Sequence, residues 1–171
     1  MTMTKDSLVR CGKPGWGSGS ASLVVVAALA MTACGDGLGT HSIDEDAARD
    51  ALKSRGVEIP STFRFGQMYE SQVFSGANSY LGRYDGPQTV FVNSAQLSAA
   101  NSTFPPLQPI QCTDPAVATL EWGILGFSCT KEMQLLASEN PANSEFPTDK
   151  VTLLLTSDGT RAHLFVSAEG H

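Results

Sequence analysis

Apolar and polar positions are most regularly ordered near the C-terminus, where Val151 to Ser157 and Thr160 to Ser167 flank Asp158-Gly159. Two β-favourable runs on either side of Asp-Gly predict a hairpin, since that dipeptide suits the two-residue type I′ loop. Such a loop would set Leu155 opposite Ala162, Leu153 opposite Leu164 and Val151 opposite Val166, making one side wholly apolar. The other side would pair Thr156 with Arg161, Leu154 with His163 and Thr152 with Phe165, a mixed surface open to partial covering.

Further upstream the period becomes helical. Ser42 followed by Glu45 forms a capping box, and Ile43, Ala47, Ala48, Ala51 and Leu52 make an apolar stripe, predicting a helix from Ile43 to Arg55. Asp44, Glu45 and Asp46 load its first turn, Lys53 and Arg55 its last, and Gly56 is placed to end it. Thr62 to Glu70 is expected as a strand, with Phe63 and Phe65 alternating against Thr62 and Arg64. Ser79 to Tyr84 follows as its hairpin partner across a turn around Ser75 to Asn78. Pro87 then suits the first position of a helix to about Ala100, with Val90, Phe91, Ser94, Leu97 and Ala100 near one face. The β-rich start, Thr89 to Val92, leaves a strand open there.

Asn101 to Pro115 carries four prolines and is expected to be extended and irregular. Thr130 to Ala137 reads as a further strand, with a short helix over Lys131 to Ser138 as the alternative. The pattern describes an α+β domain: an antiparallel sheet of about five strands with two helices on one face and a C-terminal β-hairpin.

Composition narrows the class. In 171 residues, 42% hydrophobic and 16% charged, collagen, a long coiled coil and wholesale disorder are excluded, and one domain is expected. The formal charge of −6, without a Lys/Arg cluster, argues against nucleic acid as a partner.

Lys5, Arg10 and Lys13 precede an uncharged 13-residue run, Ala21 to Ala33, the form of a secretory signal. A helix needs about 20 apolar residues to cross the bilayer, so the run is expected to target the chain rather than span permanently. Met31-Thr32-Ala33-Cys34 resembles the lipobox of bacterial lipoproteins, with Met31 where Leu is usual. The resemblance covers only residues 5 to 34 and looks like the high-GC Gram-positive type. It implies a signal peptide over 1–33, acylation (palmitate-type chains) of Cys34 as the mature N-terminus, and a cell-membrane, extracytoplasmic location. Residues 34–40 would be the lipidated cysteine and a Gly-rich tether reaching roughly 13 Å, and 41–171 the single folded domain. Ala28-Leu29-Ala30 offers ordinary signal peptidase a second site, which would release a soluble chain from Met31.

Setting aside Lys5, Arg10, Lys13 and Asp6 leaves eight basic and sixteen acidic side chains, so attachment would rest on acyl chains rather than on a basic patch. Of the four cysteines, Cys11 goes with the signal and Cys34 with lipid. Cys112 and Cys129 would meet in an oxidising compartment and are expected to form a disulfide. No C-x-x-C or H-x-x-H spacing suggests a metal, and no phosphate-binding glycine motif suggests a nucleotide cofactor.

Candidate chemistry is sparse. His41 falls in the tether and His171 is terminal, while His163 lies mid-strand, where a structural role is expected; no G-x-S-x-G elbow is present in 34–171. No catalytic residue is nominated. Asp44-Glu45-Asp46 reads as a dipole-matched helix start rather than a cation site, and Pro106-Leu107-Gln108-Pro109 as a proline-rich loop rather than a ligand for a PxxP reader. Asn101-Ser102-Thr103 has the form of a glycosylation acceptor.

The best candidate is Leu120 to Phe127, apolar and closed at its ends by the expected disulfide. Trp122, Ile124, Leu125 and Phe127 are either a contact patch or a lid that completes the core. Tyr69, Tyr80 and Tyr84 are a weaker set, groove or packing pairs. Two readings follow: a non-catalytic interaction or structural module with an envelope protein partner, or a small-molecule or lipid-binding lipoprotein with its pocket near Trp122.

Overall fold

The computed structural model describes residues 39–72, 76–140 and 150–170, which belong to one compact unit. The signal segment, Cys34, the tether residues Gly35 to Leu38, Ser75 of the expected turn, and His171 lie outside the described residues. In chain order the elements are β1 (Gly39–Ile43), α1 (Glu45–Ser54), β2 (Arg64–Gln72), β3 (Ser79–Pro87), α2 (Gln88–Val92) and α3 (Ala95–Ala100). There follow β4 (Gln108–Pro109), α4 (Pro115–Ala118), a 3-10 turn (Trp122–Leu125), β5 (Gln134–Asn140), β6 (Val151–Ser157) and β7 (Arg161–Ala168). The strands form one seven-stranded sheet ordered β1-β2-β3-β7-β6-β5-β4, antiparallel throughout. Two antiparallel runs, β1 to β3 and β4 to β7, thus join where β3 pairs with β7.

The sheet exceeds the expected five strands by β1 and β4. Gly39-Thr40-His41-Ser42 is polar and exposed, so it has no apolar alternation to reveal it, yet its backbone pairs with Tyr69 to Gln72. Two residues assigned to the tether, Gly39 and Thr40, therefore belong to the sheet. His41 is fixed within it, with Nε2 3.1 Å from Glu70 Oε2. Because Ser42 and Ile43 are committed to β1, the helix starts two residues later than expected. Asp44 rather than Ser42 caps it, its side chain accepting from the Ala47 N–H at 2.9 Å.

The helix expected from Pro87 to Ala100 is split. Pro87 closes β3 and precedes α2, and Asn93 leaves helical geometry (φ −100°, ψ 39°) between α2 and α3. Asn and Ser favour such breaks because their side chains compete with the helical backbone.

The C-terminal hairpin forms with Leu155 opposite Leu164, Leu153 opposite Val166 and Val151 opposite Ala168, two residues away from the expected register. The turn centres on Gly159 and Thr160 instead of Asp158 and Gly159. Gly159 has φ 88° while no non-glycine residue has positive φ among the described residues, which excludes type I′ with its two left-handed positions. The Asp158 carboxylate drives the choice, accepting from Thr160 N, Thr160 Oγ1 and Arg161 N at 2.8 Å each. A shift of two preserves faces, so the wholly apolar side survives.

All seven residues of β6 are buried, because the sheet is covered on both faces rather than one. On one side α1, α2 and α3 bring Ala48, Leu52, Val90 and Leu97 against Leu153, Leu155, Leu164 and Val166. On the other, α4 and the 3-10 turn bring Ala116, Val117, Trp122 and Leu125 against Leu135, Leu154 and Phe165. The mixed side of the hairpin is thus core as well. Cys112 and Cys129 form the expected disulfide, with Cα atoms 5.8 Å apart.

Candidate functional site

Of the four apolar residues singled out between Leu120 and Phe127, Trp122 is 1% exposed and Leu125 0%. The indole N–H donates to Ala116 O at 2.8 Å, and the rings of Trp122 and Phe127 both meet Phe165 edge-on. Phe127 is half-buried and Ile124 is 48% exposed. The segment is the lid of the second core, with Trp122 and Leu125 packed in its interior. The two exposed large aliphatics among the described residues, Ile124 and Val92, sit on elements covering opposite faces of the sheet.

The cleft lies on the other face. A cavity of about 780 Å³ opens between α1, the link Gly56 to Phe63, and the start of β2 with its neighbour on β3. That volume falls within the ~300–1,000 Å³ of small-molecule sites. One flank comes from Glu45, Arg49, Leu52 and Lys53, which share a side of α1 by helical spacing. Gly56, at φ 71°, turns the chain out of the helix, and the Val57 N–H closes the end on Leu52 O at 2.9 Å.

The opposite wall, Val57 to Pro60, is held by Asn101. This side chain is 2% exposed; it accepts from Glu58 N at 2.8 Å and donates to Glu58 O at 2.9 Å and Leu97 O at 3.0 Å. One amide therefore ties the link to the end of α3, and its engagement leaves no free amide for glycosylation. Asn101 was legible only as a sequon; a partner 43 residues away could not be read from local pattern.

The floor is aromatic. Phe63 is buried, and Phe65 meets Tyr84 edge-on with centroids 5.7 Å apart. Tyr84 is 5% exposed, lines the cleft, and among the described residues its hydroxyl has no hydrogen-bond partner. Burial, reinforced by the nearby Glu45 carboxylate, pushes its phenol up to about 12, so it is a neutral donor at physiological pH. Tyr80 instead donates to Glu70 Oε1 at 3.0 Å, an oxygen shared with Asn78, and Tyr69 packs on the disulfide-bearing face. The three tyrosines do not form one groove.

A polar cluster lies at one end of the disulfide-bearing face. Asp85 on β3 stands opposite His163 on β7, with Oδ1 2.6 Å from Nδ1. Arg83 donates to Asp85 Oδ2 at 3.1 Å and to Leu125 O at 3.1 Å, clipping the 3-10 turn to the sheet. Burial would raise the Asp85 carboxyl, but hydrogen bonds from His163 and Arg83 outweigh it and hold it below the ordinary value. Among the described residues no hydroxyl or thiol side chain is bonded to the His163 ring, so the pair orients an imidazole without presenting a nucleophile to it. Nor do three His, Cys, Asp or Glu side chains come together among them.

Among the described residues no helix is long and apolar enough to cross a membrane. Compared with known proteins, the chain matches no family model, no curated protein and no solved structure.

Proposed function

We propose that the chain is a membrane-anchored extracytoplasmic lipoprotein, held by acyl chains on Cys34, whose domain is a non-catalytic binding module for a small molecule. The observation that carries the binding reading is the cleft beside α1, with its aromatic floor, charged rim and a wall fixed by Asn101. Burial of Trp122 and Leu125 moves the weight away from a protein-contact patch on the 120–127 segment. The cleft joins an aromatic and aliphatic floor to four charged side chains, Glu45, Arg49, Lys53 and Glu58, so apolar surface and orienting polar groups both face a ligand.

The anchor is tested by Cys34→Ala, which should leave the chain as an unprocessed precursor or release it from the membrane fraction. Normal cleavage with unchanged attachment contradicts it. Binding is tested with Ile59→Trp, a half-buried wall position where the larger side chain fills the cleft. A small-molecule library scored by thermal shift should yield stabilisers of the natural chain that fail on this variant. Stabilisers acting equally on both would contradict the assignment.

A further inference from the structure

Resting on the binding reading above, we propose that the cleft takes an uncharged amphipathic molecule, an apolar body carrying an ester or hydroxyl oxygen, and that the Tyr84 hydroxyl donates to that oxygen. Among the described residues the buried side-chain polar atom that lacks a hydrogen bond is Arg83 Nε and not the Tyr84 hydroxyl, so the hydroxyl keeps solvent access and is available to a ligand at no folding cost. Tyr84 is 5% exposed, its ring fixed against Phe65, and its hydroxyl is bonded to nothing among the described residues while the side chain lines the cavity.

The lining sets the ligand's charge. Two acidic side chains, Glu45 and Glu58, stand with two basic ones, Arg49 and Lys53. Arg49 is already paired with Asp46 at 2.8 Å and Glu45 at 3.1 Å. The four lining charges sum to zero, so the rim favours neither sign of ion overall, and Glu45 disfavours an anion beside the phenol. Phe63, Phe65, Val57 and Ile59 provide apolar surface for the body of the ligand. A neutral oxygen acceptor is the group this arrangement satisfies.

The test is titration of the full chain, and of Tyr84→Phe and Ile59→Trp, with monooctanoylglycerol and with octanoate, followed by calorimetry. Tyr84→Phe removes only an unbonded hydroxyl and keeps the ring, so the fold is retained. The natural chain should bind the glycerol ester more tightly than octanoate, Tyr84→Phe should bind it about three- to tenfold more weakly, and Ile59→Trp should not bind it. Equal binding by Tyr84→Phe, or tighter binding of octanoate, overturns the ligand class while leaving the cleft as a site. Absence of binding by both compounds to the natural chain overturns the ligand class, and if no library compound distinguishes it from Ile59→Trp, the binding reading falls too.

Discussion

Trp122 and Tyr84 are large aromatic residues, 1% and 5% exposed, packed on opposite faces of one sheet. The indole N–H is bonded to Ala116 O, whereas the phenol hydroxyl has no partner among the described residues and its side chain lines a cavity. The disulfide-bearing face is closed: the indole N–H and Arg83 Nη1 donate to backbone carbonyls, the lid is stapled by Cys112 and Cys129, and Arg83 Nε, 3.1 Å from Asp85 Oδ1, is the buried side-chain polar atom without a hydrogen bond among the described residues. The α1 face carries the larger core yet stops short of filling the space beneath its first helix. Residue burial alone did not separate core from site: the indole N–H of Trp122 is spent on a carbonyl, whereas among the described residues the Tyr84 hydroxyl is unbonded and is not one of the buried polar atoms lacking a partner.

This contrast predicts unequal responses to substitution. Trp122→Ala should cost about 3 to 5 kcal/mol in urea unfolding, because it empties the centre of the closed face and orphans a carbonyl. Next in size, reduction of the disulfide should cost about 3 kcal/mol through the entropy of an opened loop, with binding in the cleft retained by the molecules that remain folded. Loss of cleft binding at a reductant level where the fold persists would break the independence of the two faces. Ile59→Ala, on a half-buried wall, should cost only about 1 kcal/mol while weakening ligand binding measurably.

Smaller effects follow from titration, and they divide by face. Asp85 on the closed face has a folded pKa below its ordinary 3.8, so its contribution is present above that value and is lost as pH falls through the folded one. Asp85→Asn should flatten the acid limb of a urea-midpoint profile. Tyr84 is raised from 10.0 to about 12, so its contribution is full below pH 10 and is lost as pH rises toward 12. Tyr84→Phe should remove that alkaline loss and leave the acid limb unchanged. A change in the acid limb instead would contradict the separation.

How far the sequence reaches can be seen in particular residues. The faces of the C-terminal hairpin were legible because a period of two survives a shift of two, while the register depended on three hydrogen bonds to the Asp158 carboxylate. The Cys112–Cys129 pairing was legible because these are the two cysteines outside the expected signal and lipidation site, and the structure shows them bonded. β1 was hidden because an edge strand of Gly, Thr, His and Ser carries no apolar alternation and is placed by its backbone pairing. The cleft was hidden for a related reason: α1, the link after it, Tyr84 and Asn101 are distant in sequence, and no local pattern marks a space between them. The aromatic pattern did mark Trp122, but the same apolar run describes a lid and a contact patch equally well.

The most direct measurement is a two-dimensional NMR titration of the full chain with monooctanoylglycerol. The account predicts shift changes concentrated at Lys53, Val57, Ile59, Phe65 and Tyr84, with the amides around Trp122 and Phe127 unmoved. Changes centred on the 120–127 segment, or none anywhere at saturating probe, would contradict it.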